Sequence, residues 1–209
     1  MTLTGQLYAI VDLGYVAPEK AVEVSEKLLA GGAAILQLRA KGLPEPLIES
    51  LALAIHPLCR ASGIPFVVND YPEIAARVDA DGVHIGQDDG SLVPVREIMG
   101  AGKIIGRSTH SPRQARAALA EGFDYIGFGP LFPTPTKKGR PGIGLGDIAE
   151  VQAEVGSKIP MFCIGGIKQS NLSDVHAAGA RNVVIVSELL SADDVEAATR
   201  AASTAVRKF

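Results

Sequence analysis

In the stretch Gln37-Leu38-Arg39-Ala40-Lys41, an amide and two cations alternate with apolar residues. Successive side chains of a strand point to opposite faces, so Gln37, Arg39 and Lys41 share one face while Leu36, Leu38 and Ala40 share the other. If the polar face is enclosed, its charges need a counter-ion, because an isolated buried charge costs on the order of several kcal/mol. That partner is either an anionic substrate or an internal salt bridge to Asp70 or Asp89, and the spacing leaves both open. Asn69-Asp70 and Gln87-Asp88-Asp89 close two later apolar runs. On neighbouring strands about 4.8 Å apart, Asp70 and Asp89 would share one hard cation, with Asn69 beside them as a polar contact for substrate. Magnesium suits such a pair, since it takes one or two carboxylates and completes its shell with water and phosphate oxygens. Asp88 competes with Asp89 for this role, and a helix N-cap before GSLVPVREI is the structural alternative for a single Asp. His84, between Val83 and Ile85, reads as a packed strand histidine rather than a ligand.

A second group of residues suits anions. The stretch GPLFPTPTKKGRPGIG, residues 129 to 144, fits neither a helix nor a strand. Thr134, Thr136 and Lys137 would offer hydroxyls and an ammonium on a proline-stiffened backbone, the makings of a phosphate clamp. Lys138 and Arg140 have the simpler alternative of solvated rim charges. Gly165, Gly166 and Ser187 would add backbone N–H groups near a helix start, or the glycines serve only a tight turn. No Cys or Ser lies beside a His in a way that argues for a covalent nucleophile.

These residues must be positioned by the elements before them. Short β-branched runs recur at 7 to 12, 34 to 39, 65 to 70, 82 to 87, 103 to 108, 125 to 130, 161 to 166 and 182 to 187. Between them lie stretches such as PEKAVEVSEKLLAGG, SPRQARAALAEGF and NLSDVHAAGA, with apolar residues at helical spacing and a Gly after the last turn. Strands separated by helices pair in parallel, and eight such units close a (β/α)8 TIM barrel. The expectation is a single domain over residues 1 to 209, with an open doubly wound sheet as the alternative. In a barrel the strand C-terminal ends form the active face, and the odd polar residues fall there in nearly every unit.

Composition narrows the partners. The chain has 209 residues, 47% of them hydrophobic, so it can bury a large core. A net charge of −3 supplies no global reason to expect nucleic acid or a membrane surface, so any anion site is local. The two cysteines, Cys59 and Cys163, lie outside any metal-ligand spacing and read as reduced core thiols. The N-terminus lacks the basic and apolar regions of a signal peptide, and no run approaches a membrane span, so the expected location is the cytoplasm. The expected partners are small molecules, with a homo-oligomer as an option.

With QLRAK, VVNDYPEIAARVDADGVHIGQDD, GRSTHS, DYIGFGPLFPTPTKKG, IGGI and VS in this order, the chain resembles the thiamine phosphate synthase family over nearly its whole length. The resemblance implies a transferase of thiamine biosynthesis. It would join 4-amino-2-methyl-5-(diphosphooxymethyl)pyrimidine to a thiazole ethyl phosphate, release pyrophosphate and use Mg2+. It further implies that Gln37, Arg39, Lys41, Asn69, Ser108 and Lys137 bind the pyrimidine diphosphate, and that Asp70 and Asp89 hold the metal. Thr134, Pro135, Thr136, Gly166, Val186 and Ser187 would hold the thiazole phosphate. Arg39, Lys41 and Lys137 would neutralise charge growing on the departing diphosphate, so that the substitution is dissociative. Two departures stand out: Tyr71 occupies a position where many members of the family carry Arg, and Val186-Ser187-Glu188 replaces the more usual Ser-Ala. The rival functions are a TenI-like thiazole tautomerase, which needs a general base, and a non-catalytic barrel that binds a phosphorylated ligand.

Overall fold

The computed structural model describes residue 3, residues 6–134 and residues 141–208. Eight parallel strands close on themselves in sequence order, which excludes the open sheet. They are β1 (Leu7–Asp12), β2 (Ile35–Arg39), β3 (Phe66–Asn69), β4 (Gly82–Ile85), β5 (Ile104–Thr109), β6 (Tyr125–Phe128), β7 (Met161–Ile164) and β8 (Asn182–Ile185). Closure is made by β1 on β8, with Leu7 opposite Val183 and Ala9 opposite Ile185. Most strands end before the polar tails of their sequence runs, because those tails turn away into loops. Asp70 adopts φ 68°, and Gly165 and Gly166 adopt 100° and 65°, none of which continues a strand.

The helices follow the apolar periodicity: α1 (Ala21–Ala30), α2 (Glu45–Ala61), α3 (Pro72–Arg77), α4 (Leu92–Met99), α5 (Pro112–Glu121), α6 (Ile148–Val151), α7 (Leu172–Ala177), α8 (Ser187–Leu190) and α9 (Val195–Val206). Local chemistry sets their ends. The Ser111 hydroxyl accepts from the Gln114 N–H before Pro112, and Gly122 in the left-handed region closes α5. None of the described helices is long and apolar enough to cross a membrane.

The alternation of each strand sorts side chains into two cores. Leu36, Leu38 and Ala40 pack outward with Val68, Val83 and Ile105 against the helices. Tyr8, Ile10, Ile35, Val67, Ile104, Tyr125, Phe162 and Val184 fill the barrel itself. The Phe162 ring meets Tyr8 edge-on at 5.3 Å and Tyr125 edge-on at 5.8 Å. Gly106, opposite Tyr125 in the register, makes room for that ring: a Cβ there would lie 2.1 Å from it. Cys59 and Cys163 are free and buried in the outer core, as expected of reduced thiols.

Candidate active site

A cavity lies at the C-terminal ends of the strands, with about 860 Å3 of empty space when the open solvent before it is included. Its walls include Gln37, Arg39, Asn69 and Ser108 on one side and Thr134, Gly166, Val186 and Ser187 on another. Of the residues singled out from sequence, the structure therefore brings these eight together, and His84 and Gly165 line the same cavity. Pro135, Thr136 and Lys137, with Lys138 and Arg140, lie outside the described residues.

Gln37 is buried at the end of a hydrogen-bonded chain that crosses the barrel. Its Nε2 donates to the Tyr8 hydroxyl at 2.8 Å, and the Tyr8 and Tyr125 hydroxyls share a bond of 3.0 Å. Tyr125 Oη then meets His84 Nδ1 at 2.9 Å, and His84 Nε2 meets Ser108 Oγ at 2.9 Å. Burial pushes both phenols well above their ordinary pKa, so they stay neutral. In its neutral form the imidazole has one donor and one acceptor nitrogen, and the ring then transmits the sense of the chain: if Tyr125 donates to Nδ1, Nε2 donates to Ser108. His84 is thus packed in its strand, as read from sequence, yet it also belongs to the cavity wall.

Arg39 has a partner that neither sequence candidate named. Its Nη1 donates to Asp12 Oδ2 at 2.8 Å, and the two residues are register neighbours on β2 and β1. Asp12 is buried, and its Oδ1 accepts from the Gly14 N–H at 2.9 Å. The Arg39 charge is thereby balanced within the protein, so burial alone does not demand an anionic ligand. The same pair fixes the guanidinium in the cavity wall and leaves its remaining N–H groups outside that bond. Lys41 does meet a candidate partner: its ammonium lies 3.1 Å from Asp70 Oδ2, with the lysine side chain 58% exposed.

Asp70 and Asp89 face each other across the ends of β3 and β4. Burial first, and the Asp89 charge second, raise the pKa of Asp70, while Lys41 acts in the opposite direction. Asp70 Oδ2 is buried, and Lys41 stands at ion-pair distance from it without the alignment of a hydrogen bond. Asp89 Oδ2 accepts from the Gly86 N–H at 2.7 Å, and Ser91 holds the N-cap position of α4 without a side-chain cap bond, so neither Asp88 nor Asp89 is its N-cap. A buried carboxylate oxygen without a hydrogen bond, facing a second carboxylate, is a donor set that fits Mg2+. Among the described residues no group of three or more His, Cys, Asp and Glu is arranged for a metal.

Several participants were not singled out from sequence: Tyr8, Tyr125, Asp12 and His110, whose Nδ1 bonds the Gly129 carbonyl. Asp12 had a signal, since it closes LYAIVD as Asp70 closes PFVVND. Both departures from the family pattern have local roles. Tyr71 packs against the outer core, and the Glu188 carboxylate accepts from the Gln169 N–H at 2.9 and 3.1 Å, tying the loop after β7 to α8.

Comparison with known proteins agrees over almost the whole chain. The thiamine-phosphate synthase of Thermus thermophilus is 42% identical over 201 residues, 95% of this chain and 96% of the relative. That of Shouchella clausii is 41% identical over 204 residues, 97% of each. The structure of thiamine phosphate pyrophosphorylase from Pyrococcus furiosus superposes with a TM-score of 0.87 at 33% identity, covering 97% of this chain and 96% of the other. With the thiamine monophosphate synthase model matching residues 7–189, the chain belongs to the thiamine monophosphate synthase family.

Proposed function

We propose that this protein is a Mg2+-dependent thiamine phosphate synthase that joins the aminopyrimidine methyl diphosphate to thiazole ethyl phosphate. The observation that carries the reading is the shared cavity, with Gln37, Arg39, Asn69 and Ser108 on one wall and Thr134, Gly166, Val186 and Ser187 on another, in a chain of this family. The first wall binds the pyrimidine diphosphate and the second the thiazole phosphate. Thr136, Pro135 and Lys137 join them through the family resemblance.

The reaction breaks the C–O bond between the pyrimidine methylene and the diphosphate, and the electron pair leaves with pyrophosphate. The thiazole nitrogen lone pair then forms the new C–N bond. Arg39, held by Asp12, meets the growing negative charge without reorienting, and Lys41 adds a second cation, which favours the transition state over the ground state. Gln37 and Ser108, joined through the buried chain, orient the pyrimidine ring. Ile10, Phe162, Ile164 and Val184 line the cavity with apolar surface and keep water from the electron-poor methylene carbon. Asp70 and Asp89 would hold Mg2+, which when bound neutralises diphosphate oxygens and aids pyrophosphate departure.

The test is incubation of the purified protein with both substrates, with Mg2+ or with EDTA. Thiamine phosphate and equimolar pyrophosphate are expected only with Mg2+. Isomerisation of the thiazole without coupling would indicate the tautomerase instead, and ligand binding without product would indicate a sensor.

A further inference from the structure

Arg107 stands on β5 beside Ile85, the last residue of β4, from which the loop carrying Asp89 departs. Its Nη1 donates to the Gly90 carbonyl at 2.6 Å and its Nη2 to the Gln87 carbonyl at 3.1 Å. These two carbonyls bracket Asp88 and Asp89. The guanidinium carbon also lies 5.3 Å from the centroid of the buried Phe123 ring, which fixes the fork from behind. Gln87 adds a tie of its own, donating through Nε2 to the Ser108 carbonyl. From the other side, the Gly86 N–H holds Asp89 Oδ2.

We propose that Arg107 is a positioning residue for the divalent-cation site: by clamping the backbone on both sides of Asp89, it keeps that carboxylate facing Asp70. The inference rests on the reading that Asp70 and Asp89 hold Mg2+. The clamp acts through geometry, and its sign can be separated from that of its charge. A guanidinium near a cation site repels the cation, so a purely electrostatic role predicts tighter metal binding once Arg107 is removed. A positioning role predicts weaker binding, because a loop with glycines at both ends, Gly86 and Gly90, must then be ordered by the metal itself.

The experiment is titration of the protein with Mn2+, followed by loss of the free-ion electron paramagnetic resonance signal, for the parent, Arg107→Ala, Arg107→Lys and Asp89→Asn. Residues that orient metal ligands typically change affinity about 10- to 100-fold. Arg107→Ala is expected to raise the Kd about 10-fold while its circular dichroism spectrum and Tm stay near the parent's. Should Arg107→Ala fail to fold, Arg107→Lys decides, since it keeps the charge over Phe123 and loses the fork; at least about threefold weaker binding is expected. A Kd unchanged or lower in the deciding variant, with Asp89→Asn weakened, overturns the clamp alone. Parent-like binding by Asp89→Asn overturns the metal reading and the clamp with it.

Discussion

Asp70 combines two unfavourable features, a left-handed backbone at φ 68° and a largely buried carboxyl facing Asp89. Asparagine tolerates the same backbone and carries no charge. Asp70→Asn is therefore expected to raise the Tm of the metal-free protein, at about 2–4 °C per kcal/mol gained for a domain of this size, and to abolish any stabilisation by added Mg2+. A lower metal-free Tm in thermal melts would contradict the account of burial and repulsion. The chain from Gln37 to Ser108 makes a separate prediction. Tyr125→Phe deletes its central hydroxyl and leaves Tyr8 and His84 each short of a partner. Each of the two lost hydrogen bonds is worth about 0.5–1.5 kcal/mol, and part of that loss reaches substrate through Gln37 and Ser108, so KM for the pyrimidine diphosphate should rise up to about tenfold, with KM for the thiazole phosphate unchanged. Steady-state kinetics with each substrate varied in turn checks this, and equal rises in both constants would sink it.

At the scale of elements, the close approach of β5 to the Tyr125 ring sets the next expectation. A methyl group at Gly106 would collide with a ring held by Phe162, Tyr8 and His84. Gly106→Ala should cost about 1–3 kcal/mol in urea melts, the usual range for overpacking, and Tyr125→Phe should not relieve it because the clash is with ring carbons. The same elements show what a linear reading can reach. Strand order, the two faces of β2 and the polar strand ends were legible, because each follows from local alternation between Gln37, Leu38 and Arg39 or from a terminal acid such as Asp70. The Tyr8–Tyr125 bond was not, since its partners lie 117 positions apart and meet only through barrel closure. In sequence each tyrosine lies in its own short strand-forming run, and nothing local links the two. The Arg39–Asp12 pair was missed for a similar reason: pairing β1 with β2 in register decides which acid a cation meets.

Across the whole molecule, two buried thiols and two buried phenols share one sign. Burial pushes the Cys59 and Cys163 thiols up to about 12, and it raises Tyr8 and Tyr125 as well. A folded-state pKa above the unfolded one means that stability is complete below the unfolded value and is lost as pH climbs through the folded value. For the thiols that window runs from 9.0 to about 12. Urea melts at increasing pH should show steady loss across it, and Cys59→Ala or Cys163→Ala should flatten the slope. Near pH 8 neither thiol of the native protein should react with a disulfide reagent, and both should react in denaturant.

The pairing of β1 with β8 also bears on how the protein is made. β1 leaves the ribosome early, yet its second neighbour does not exist until Val183 and Ile185 have been synthesised. At about 5–20 residues per second the wait is on the order of ten to thirty seconds. Throughout that interval one edge of β1 offers unpaired N–H and C=O groups to any passing strand. Helix α9 then locks the arrangement, as the Ser203 hydroxyl donates to the Gly32 carbonyl and a Cβ at Gly31 would strike Thr199. The nascent chain is thus open to mispairing until β8 and α9 emerge, and a ribosome stalled ahead of β8 would hold a partly wound sheet that chaperones must shield.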